Sequence, residues 1–227
     1  MSSDFIGCGG RVRALARAVG CGAVLAAAAG GWGGCAPVVV SLTADAEPAG
    51  TSYPKTFERY TRVTRIGSVD DLDTPIVIGA TLRSPAFQRA YAEHYLQAYK
   101  VNIPSERQMI LERERAAADH GLSFWVRTTF HNYLWNDLRP TAGKWRMVVV
   151  DENGMETPAE AIDGLAIRDL TVPVLLSEPL DAYSKMWLVR FPTMRSDGQP
   201  LVPAGARKII LRVAGPVGQT DLTWLLQ

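Results

Sequence analysis

The chain has 227 residues, of which 47% are hydrophobic, and its 24 basic side chains nearly balance its 23 acidic ones. This composition is typical of a globular protein, and the absence of a clustered positive excess disfavours nucleic acid as a partner. Once a leader is removed, the length suits one domain built around one core.

The first 36 residues have the features of an export signal. Arg11, Arg13 and Arg17 form a positively charged segment, and an apolar run rich in alanine and glycine follows it. A membrane-spanning helix needs about 20 strongly apolar residues, whereas this run is short and interrupted. The pattern therefore predicts a signal peptide over residues 1–34.

The end of this segment, Gly33-Gly34-Cys35, places small residues directly before a cysteine. It resembles the lipobox of bacterial lipoproteins, in which the cysteine is diacylated and becomes the new N-terminus. The resemblance implies lipidation of Cys35. Because Ala36 follows, and not the aspartate that favours retention in the inner membrane of Gram-negative bacteria, it also implies the outer membrane, facing the periplasm or the surface.

Three other interpretations of the N-terminal region remain open. Cys21, preceded by Ala18-Val19-Gly20, also looks like a lipobox, although it comes before the best apolar run. Ala44-Asp45-Ala46 is an A-x-A site for ordinary signal peptidase, and cleavage there would give a soluble secreted or periplasmic protein. The leader would act as an anchor if it were not cleaved. Apart from Cys35, the chain contains only Cys8 and Cys21, so a mature domain that starts at Cys35 has no internal disulfide.

The residues after the cysteine divide into a linker and a domain. Residues 35–54 contain the lipidated cysteine and a small, polar stretch with Pro48, Gly50 and Pro54, which predicts a flexible linker. Residues 55–227 are predicted to fold. The segment 56–66 is rich in β-favouring residues and predicts a strand, although Phe57, Tyr60 and Val63 would also share one face of a helix. A buried strand is predicted over 75–82.

A helical hairpin is predicted at about 84–121. Ser84-Pro85 has the pattern of a helix start, with a serine cap and a proline at the first helical position. Ser105-Glu106-Arg107-Gln108 matches a capping box that would begin the second helix, and Gly121 would end it.

The rest of the domain is predicted to be β-structure. Residues 122–130 alternate apolar and polar side chains, and Trp145, Met147 and Val149 repeat the alternation before the turn at 151–154. Further strands are predicted around 161–167, 170–176, 183–191, 207–213 and 222–225. The fold class is therefore mainly β with a helical hairpin insertion (α+β), arranged as an antiparallel β-sandwich, Ig-like or C2-like.

One loop combines an imidazole, amides, a carboxylate and aromatic rings. Its candidate ligand-binding residues are His131, Tyr133, Trp135, Asn136 and Asp137. Such a mixture can stack against a sugar or a peptide and form hydrogen bonds to it. In the alternative interpretation the aromatic rings cap the core and the amides satisfy the backbone of a turn.

A second loop carries Asp70, Asp71 and Asp73, whose hard oxygen ligands suit calcium. The alternative interpretation is a solvated turn. No His-x-x-x-His pair is present to indicate zinc, and no hydrolase or phosphate-binding motif is present either. No cofactor is predicted apart from this calcium hypothesis.

These features predict a lipid-anchored cell-envelope protein that acts as a non-catalytic binding or assembly module. Its partners would be the membrane, through the N-terminal lipid, and an envelope protein or a glycan. One alternative is a periplasmic carbohydrate-active hydrolase that uses carboxylates among Asp70, Asp71, Asp73 and Asp137. The other is a calcium-dependent, adhesin-like domain.

Overall fold

Two five-stranded sheets dominate the computed structural model, which describes residues 38–43, 52–67, 76–130, 132, 134–166 and 182–227. In chain order the elements are β1 (Val39–Val40), α1 (Tyr53–Tyr60), β2 (Thr61–Ile66), β3 (Ile76–Leu82), α2 (Pro85–Ala98), α3 (Pro104–Asp119), β4 (Ser123–Thr129), β5 (Arg146–Val150), β6 (Glu156–Pro158), β7 (Ala161–Leu165), β8 (Ser184–Arg190), β9 (Lys208–Gly215) and β10 (Gly218–Leu226). A short 3-10 turn at Pro140–Ala142 precedes β5.

The two sheets draw their strands from both halves of the domain. Sheet A has the order β1-β10-β9-β5-β6, and sheet B has the order β2-β3-β4-β8-β7. Neighbouring strands are antiparallel, except that β1 runs parallel to β10. Neither sheet is closed within the described residues. The prediction of a mainly β, α+β fold is confirmed.

One face of each sheet contributes to a common hydrophobic core. In β4 the alternation predicted from the sequence is present, since Phe124 and Val126 are fully buried on one face. Leu211 and Trp224 are fully buried in sheet A. The ring of Phe124 contacts that of Trp224, with 5.1 Å between the centroids. The apolar alternation along the strands therefore places side chains of both sheets in one core.

The strand predicted over 56–66 is wrong in its first half, because residues up to Tyr60 belong to α1. Tyr53, Thr56, Phe57 and Tyr60 are buried, and their spacing places them on one face of the helix. Pro54 lies in the first turn of α1, where its missing N–H costs no hydrogen bond. The helical periodicity prevailed over β propensity because this face packs into the core.

The helical hairpin is confirmed, with a different start for its second helix. As predicted, Ser84 caps α2: its Oγ accepts a hydrogen bond from the backbone N–H of Phe87 at 3.2 Å. The capping box predicted at Ser105 is wrong, because α3 begins at Pro104. The N-cap residue is therefore Ile103, whose side chain forms no capping hydrogen bond. The chain leaves the hairpin at Gly121, whose φ of +104° favours glycine.

The described part of the predicted linker belongs to the fold. Val39 and Val40 pair with the end of β10, and the side chain of Val40 is 0% exposed. The next residue, Ser41, exchanges hydrogen bonds with the hydroxyl group of Tyr60: its N–H donates at 3.2 Å, and its carbonyl oxygen accepts at 3.2 Å. The chain therefore joins the domain only four residues after Cys35. The strand predicted over 170–176 lies outside the described residues.

We predict that Val40→Ala lowers the free energy of unfolding by about 1–3 kcal/mol, because it leaves a cavity under the edge of sheet A. The matched control is Val38→Ala, since Val38 is 51% exposed and its truncation should change stability by no more than about 0.5 kcal/mol. Urea denaturation of both variants measures the difference. Equal stability of the two would contradict the role of β1 in the core.

Candidate functional site

The loop that follows β4 carries the predicted ligand-binding residues. Trp135, Asn136 and Asp137 are described, whereas His131 and Tyr133 lie outside the described residues. The loop lies where β4 ends and β8 begins, since Thr129 pairs with Ser184. The described candidates therefore lie in a loop that leaves β4 beside the start of β8.

Asn136 is held inside the protein by hydrogen bonds from both ends of its amide. It is 2% exposed, and its Oδ1 accepts a hydrogen bond from the Oγ1 of Thr128 at 2.7 Å. Its Nδ2 donates to the carbonyl oxygen of Tyr183 at 2.7 Å, and the Nζ of Lys185 donates to its backbone carbonyl at 2.7 Å. Trp187 adds a hydrogen bond from Nε1 to the Oγ1 of Thr128 at 3.0 Å. The amide therefore fastens the loop to β4 and β8.

Asp137 forms a bidentate ion pair with Arg139. The Nε of Arg139 lies 2.9 Å from Oδ1 and its Nη2 lies 2.6 Å from Oδ2. Hydrogen bonding from the Arg139 side chain is the main cause that lowers the pKa of Asp137 to about 2, despite an opposing effect of burial. The carboxyl group is therefore ionised at neutral pH. The acid of a glycosidase needs a raised pKa, so this environment does not suit Asp137 as a proton donor.

Trp135 is half-buried, and its backbone connects the same loop to Trp145, the residue before β5. Its carbonyl oxygen accepts a hydrogen bond from the Nε1 of Trp145 at 2.7 Å, and the Nζ of Lys144 lies 5.9 Å from its ring centroid. The ring of Trp145 packs so closely on Gly215 that a side chain there would collide with it. The exposed apolar side chain in the described part of this loop is that of Leu134.

The predicted calcium ligands Asp70, Asp71 and Asp73 lie outside the described residues, as does the predicted lipidation site Cys35. Within the described ranges, no group of three or more histidine, cysteine, aspartate or glutamate residues is arranged to hold a metal ion. The same residues include no helix that is long and apolar enough to cross a membrane.

A second polar cluster lies where α2 and α3 meet sheet B, and it was not predicted from the sequence. Arg83 is largely buried between β3 and α2, with its guanidinium group 4.8 Å from the ring centroid of Trp125. Its Nη2 reaches Glu114 Oε2 only at 3.5 Å and Gln88 Oε1 only at 3.4 Å. Burial lowers the pKa of Arg83, and the nearby carboxylate of Glu114 opposes this effect. The arginine links α2 and α3 to sheet B.

Four buried polar atoms near this junction have no hydrogen-bond partner within the described part of the protein. They are the Nε of Arg83, the Oγ of Ser123, the Oη of Tyr53 and the Nε2 of His94. The rings of Tyr53 and His94 are stacked, with 4.4 Å between centroids. In the sequence, Arg83 is a single arginine between a predicted strand and a cap serine, and this pattern carries no distinctive signal.

The outer face of sheet B has a shallow depression of about 30 Å³. Its lining consists of Phe57, Thr61, Val63, Gly79, Thr81, Trp125, Arg127 and Met186. Gly79 forms the floor, since it has no side chain between exposed Val63 and half-buried Arg127. A pocket for a small molecule measures about 300–1,000 Å³, so this depression is far too small to hold one.

Two other concave surfaces are larger than this depression. A groove of about 580 Å³ runs between α2 and α3, where Arg89 and Glu93 form an exposed ion pair with each other. A cavity of about 170 Å³ lies beside the turn after β5, and its lining includes Leu201 and Lys208. In neither is a buried, unpaired polar atom among the described lining residues.

Comparison of the chain with protein-family models, with curated proteins and with solved structures gave no match.

We predict that Asn136→Ala lowers the free energy of unfolding by about 2–3 kcal/mol, because it leaves the Tyr183 carbonyl and the Thr128 hydroxyl without this partner. Asn132→Ala in the same loop is the control. The exposed side chain of Asn132 accepts a hydrogen bond from Leu134 N, and its loss should cost about 0.5 kcal/mol. Chemical denaturation compares the two. If Asn136→Ala is as stable as the wild type, the amide does not fasten the loop.

Proposed function

We propose that this chain is a lipid-anchored envelope protein, tethered through Cys35 to the outer membrane, whose domain is a non-catalytic binding or assembly module. We propose further that its two sheets form an antiparallel β-sandwich, Ig-like or C2-like. The shared core and the contact between Phe124 and Trp224 support this arrangement.

The position of β1 is the observation that supports the proposed tether at Cys35. Cleavage after Ala46 would remove Val39 and Val40 from sheet A, together with Ser41, which bonds to Tyr60. It would remove the two hydrogen bonds that Ser41 exchanges with the Tyr60 hydroxyl group, each of which contributes about 0.5–1.5 kcal/mol. Processing at Cys35 keeps all of these residues. The fold therefore favours the lipobox over the A-x-A site.

The binding role is supported by the outer face of sheet B. Val63 is exposed there, and Gly79 leaves a depression between it and Arg127. Apolar surface beside a charged side chain is typical of protein interaction sites. The loop after β4 is less suited, because its described polar groups Asn136 and Asp137 already have partners inside the chain. We propose an envelope protein as the partner of sheet B.

Metabolic labelling with palmitate in a Gram-negative host tests the tether. We predict that the wild type is labelled and that Cys35→Ala loses the label and accumulates as the longer precursor. Cys21→Ala is the matched control and should remain labelled. A Cys35→Ala variant that is still labelled, or a mature protein that begins at Glu47, would contradict the proposed anchor.

Photo-crosslinking in intact cells tests the binding surface. We predict that a benzoylphenylalanine in place of Val63 forms an adduct with an envelope protein, whereas one in place of exposed Tyr183 does not. Gly79→Ala should weaken the adduct, because its methyl group fills the floor of the depression with ordinary contacts, 3.6 Å from Val63. Adducts of equal yield at both positions, or insensitive to Gly79→Ala, would argue against this surface.

A further inference from the structure

The distance between the proposed lipid and the folded domain is short. Three residues lie between Cys35 and Val39, the first residue of β1, and the four residue steps from Cys35 to Val39 span at most about 14 Å when fully extended. This step rests on the proposed lipidation of Cys35. The beginning of β1 then has to lie within about this distance of the membrane surface.

The size of the domain makes this distance restrictive. A compact body of about 190 residues has a radius of gyration of about 16 Å, which corresponds to a width of about 40 Å. The tether is much shorter than this width. The domain therefore cannot turn its far side to the bilayer without unpairing β1 from β10.

The surface beside the start of β1 has side chains suited to a lipid interface. Val38 is 51% exposed and Leu225 is 37% exposed, and Leu225 is the register partner of Val39. On its other side Leu225 pairs with Lys208 of β9. Exposed apolar side chains enter the headgroup region favourably, and a nearby lysine is attracted to anionic lipids by about 1 kcal/mol.

We infer that the end of sheet A at which Val38, Leu225 and Lys208 lie rests on the phospholipid surface that holds the anchor. The opposite end of β10, at Gly218, is seven residues from Leu225, or about 23 Å along the strand. Gly215 pairs with Gly218 there and packs on Trp145, which holds the loop that contains Leu134. That loop projects away from the membrane.

Fluorescence quenching in vesicles tests this orientation. Full-length precursor with Leu225→Cys or Leu134→Cys is expressed in cells, so that Cys35 is acylated and only the new thiol reacts with an environment-sensitive dye. Leu134 is 52% exposed and serves as the far-side control. The labelled proteins are reconstituted in vesicles of phosphatidylethanolamine and phosphatidylglycerol that contain a lipid with a nitroxide on its headgroup. We expect loss of fluorescence at position 225 and none at position 134.

A longer tether provides the second control. Insertion of about 20 Gly/Ser residues after Ala36 gives a flexible segment with an end-to-end distance of about 25 Å, which should free the domain and remove the difference between the two positions. Equal quenching at both positions with the native tether, or stronger quenching at 134, would overturn the orientation. Intact-mass measurement separates the two proposals: an unacylated protein overturns the anchor itself, whereas an acylated protein with the wrong quenching pattern overturns only the orientation.

Discussion

The burial of Trp224 is the interaction on which the rest of this structure depends. Its ring is fully buried against Phe124 of the opposite sheet, and its Nε1 donates to the backbone carbonyl of Tyr60 at 2.7 Å. The hydroxyl group of Tyr60 in turn bonds to Ser41, directly after β1. The last strand is thereby joined at one point to two segments from the other end of the domain, β1 and the end of α1. An unpaired indole N–H at this depth would be costly, so α1 has to end where its carbonyl can accept.

The same point explains how the two sheets meet at their edges. β1 covers only the last residues of β10, and the rest of that edge faces β2. Arg62 of β2 donates from Nε to the carbonyl oxygen of Thr223 at 3.0 Å, and the Oγ1 of Thr220 donates to the Oγ1 of Thr64 at 3.1 Å. Arg62 therefore satisfies one backbone carbonyl of an edge that would otherwise offer it to other chains, and the threonine pair holds the two strands together.

The sequence predicted those elements whose signals lie within a few residues. It did not predict features that depend on contacts with residues far away in the chain. Ser84 and its proline carry the start of α2 within a few residues, and the alternation in β4 is visible along one strand. β1 is only two residues long, and the reason for it is β10, which lies more than 180 residues later. The sequence of α1 has both β-favouring residues and a helical spacing of apolar residues. The helix forms because its apolar face packs into a core that is built largely from other segments of the chain. The role of Asn136 depends on Tyr183, 47 residues away, so the sequence showed the amide without its partners.

The distribution of satisfied polar groups bears on where a partner binds. A side chain that already has good partners must break them to contact a ligand, and for Asn136 that would expose a buried network. The side chain of Val63, in contrast, is exposed, and Gly79 adds no side chain to the depression beside it. Apolar area buried by a contact there contributes about 25 cal/mol per Å². For this reason the proposed binding surface is the face of sheet B, whereas Asn136, one of the binding residues predicted from the sequence, has a structural role.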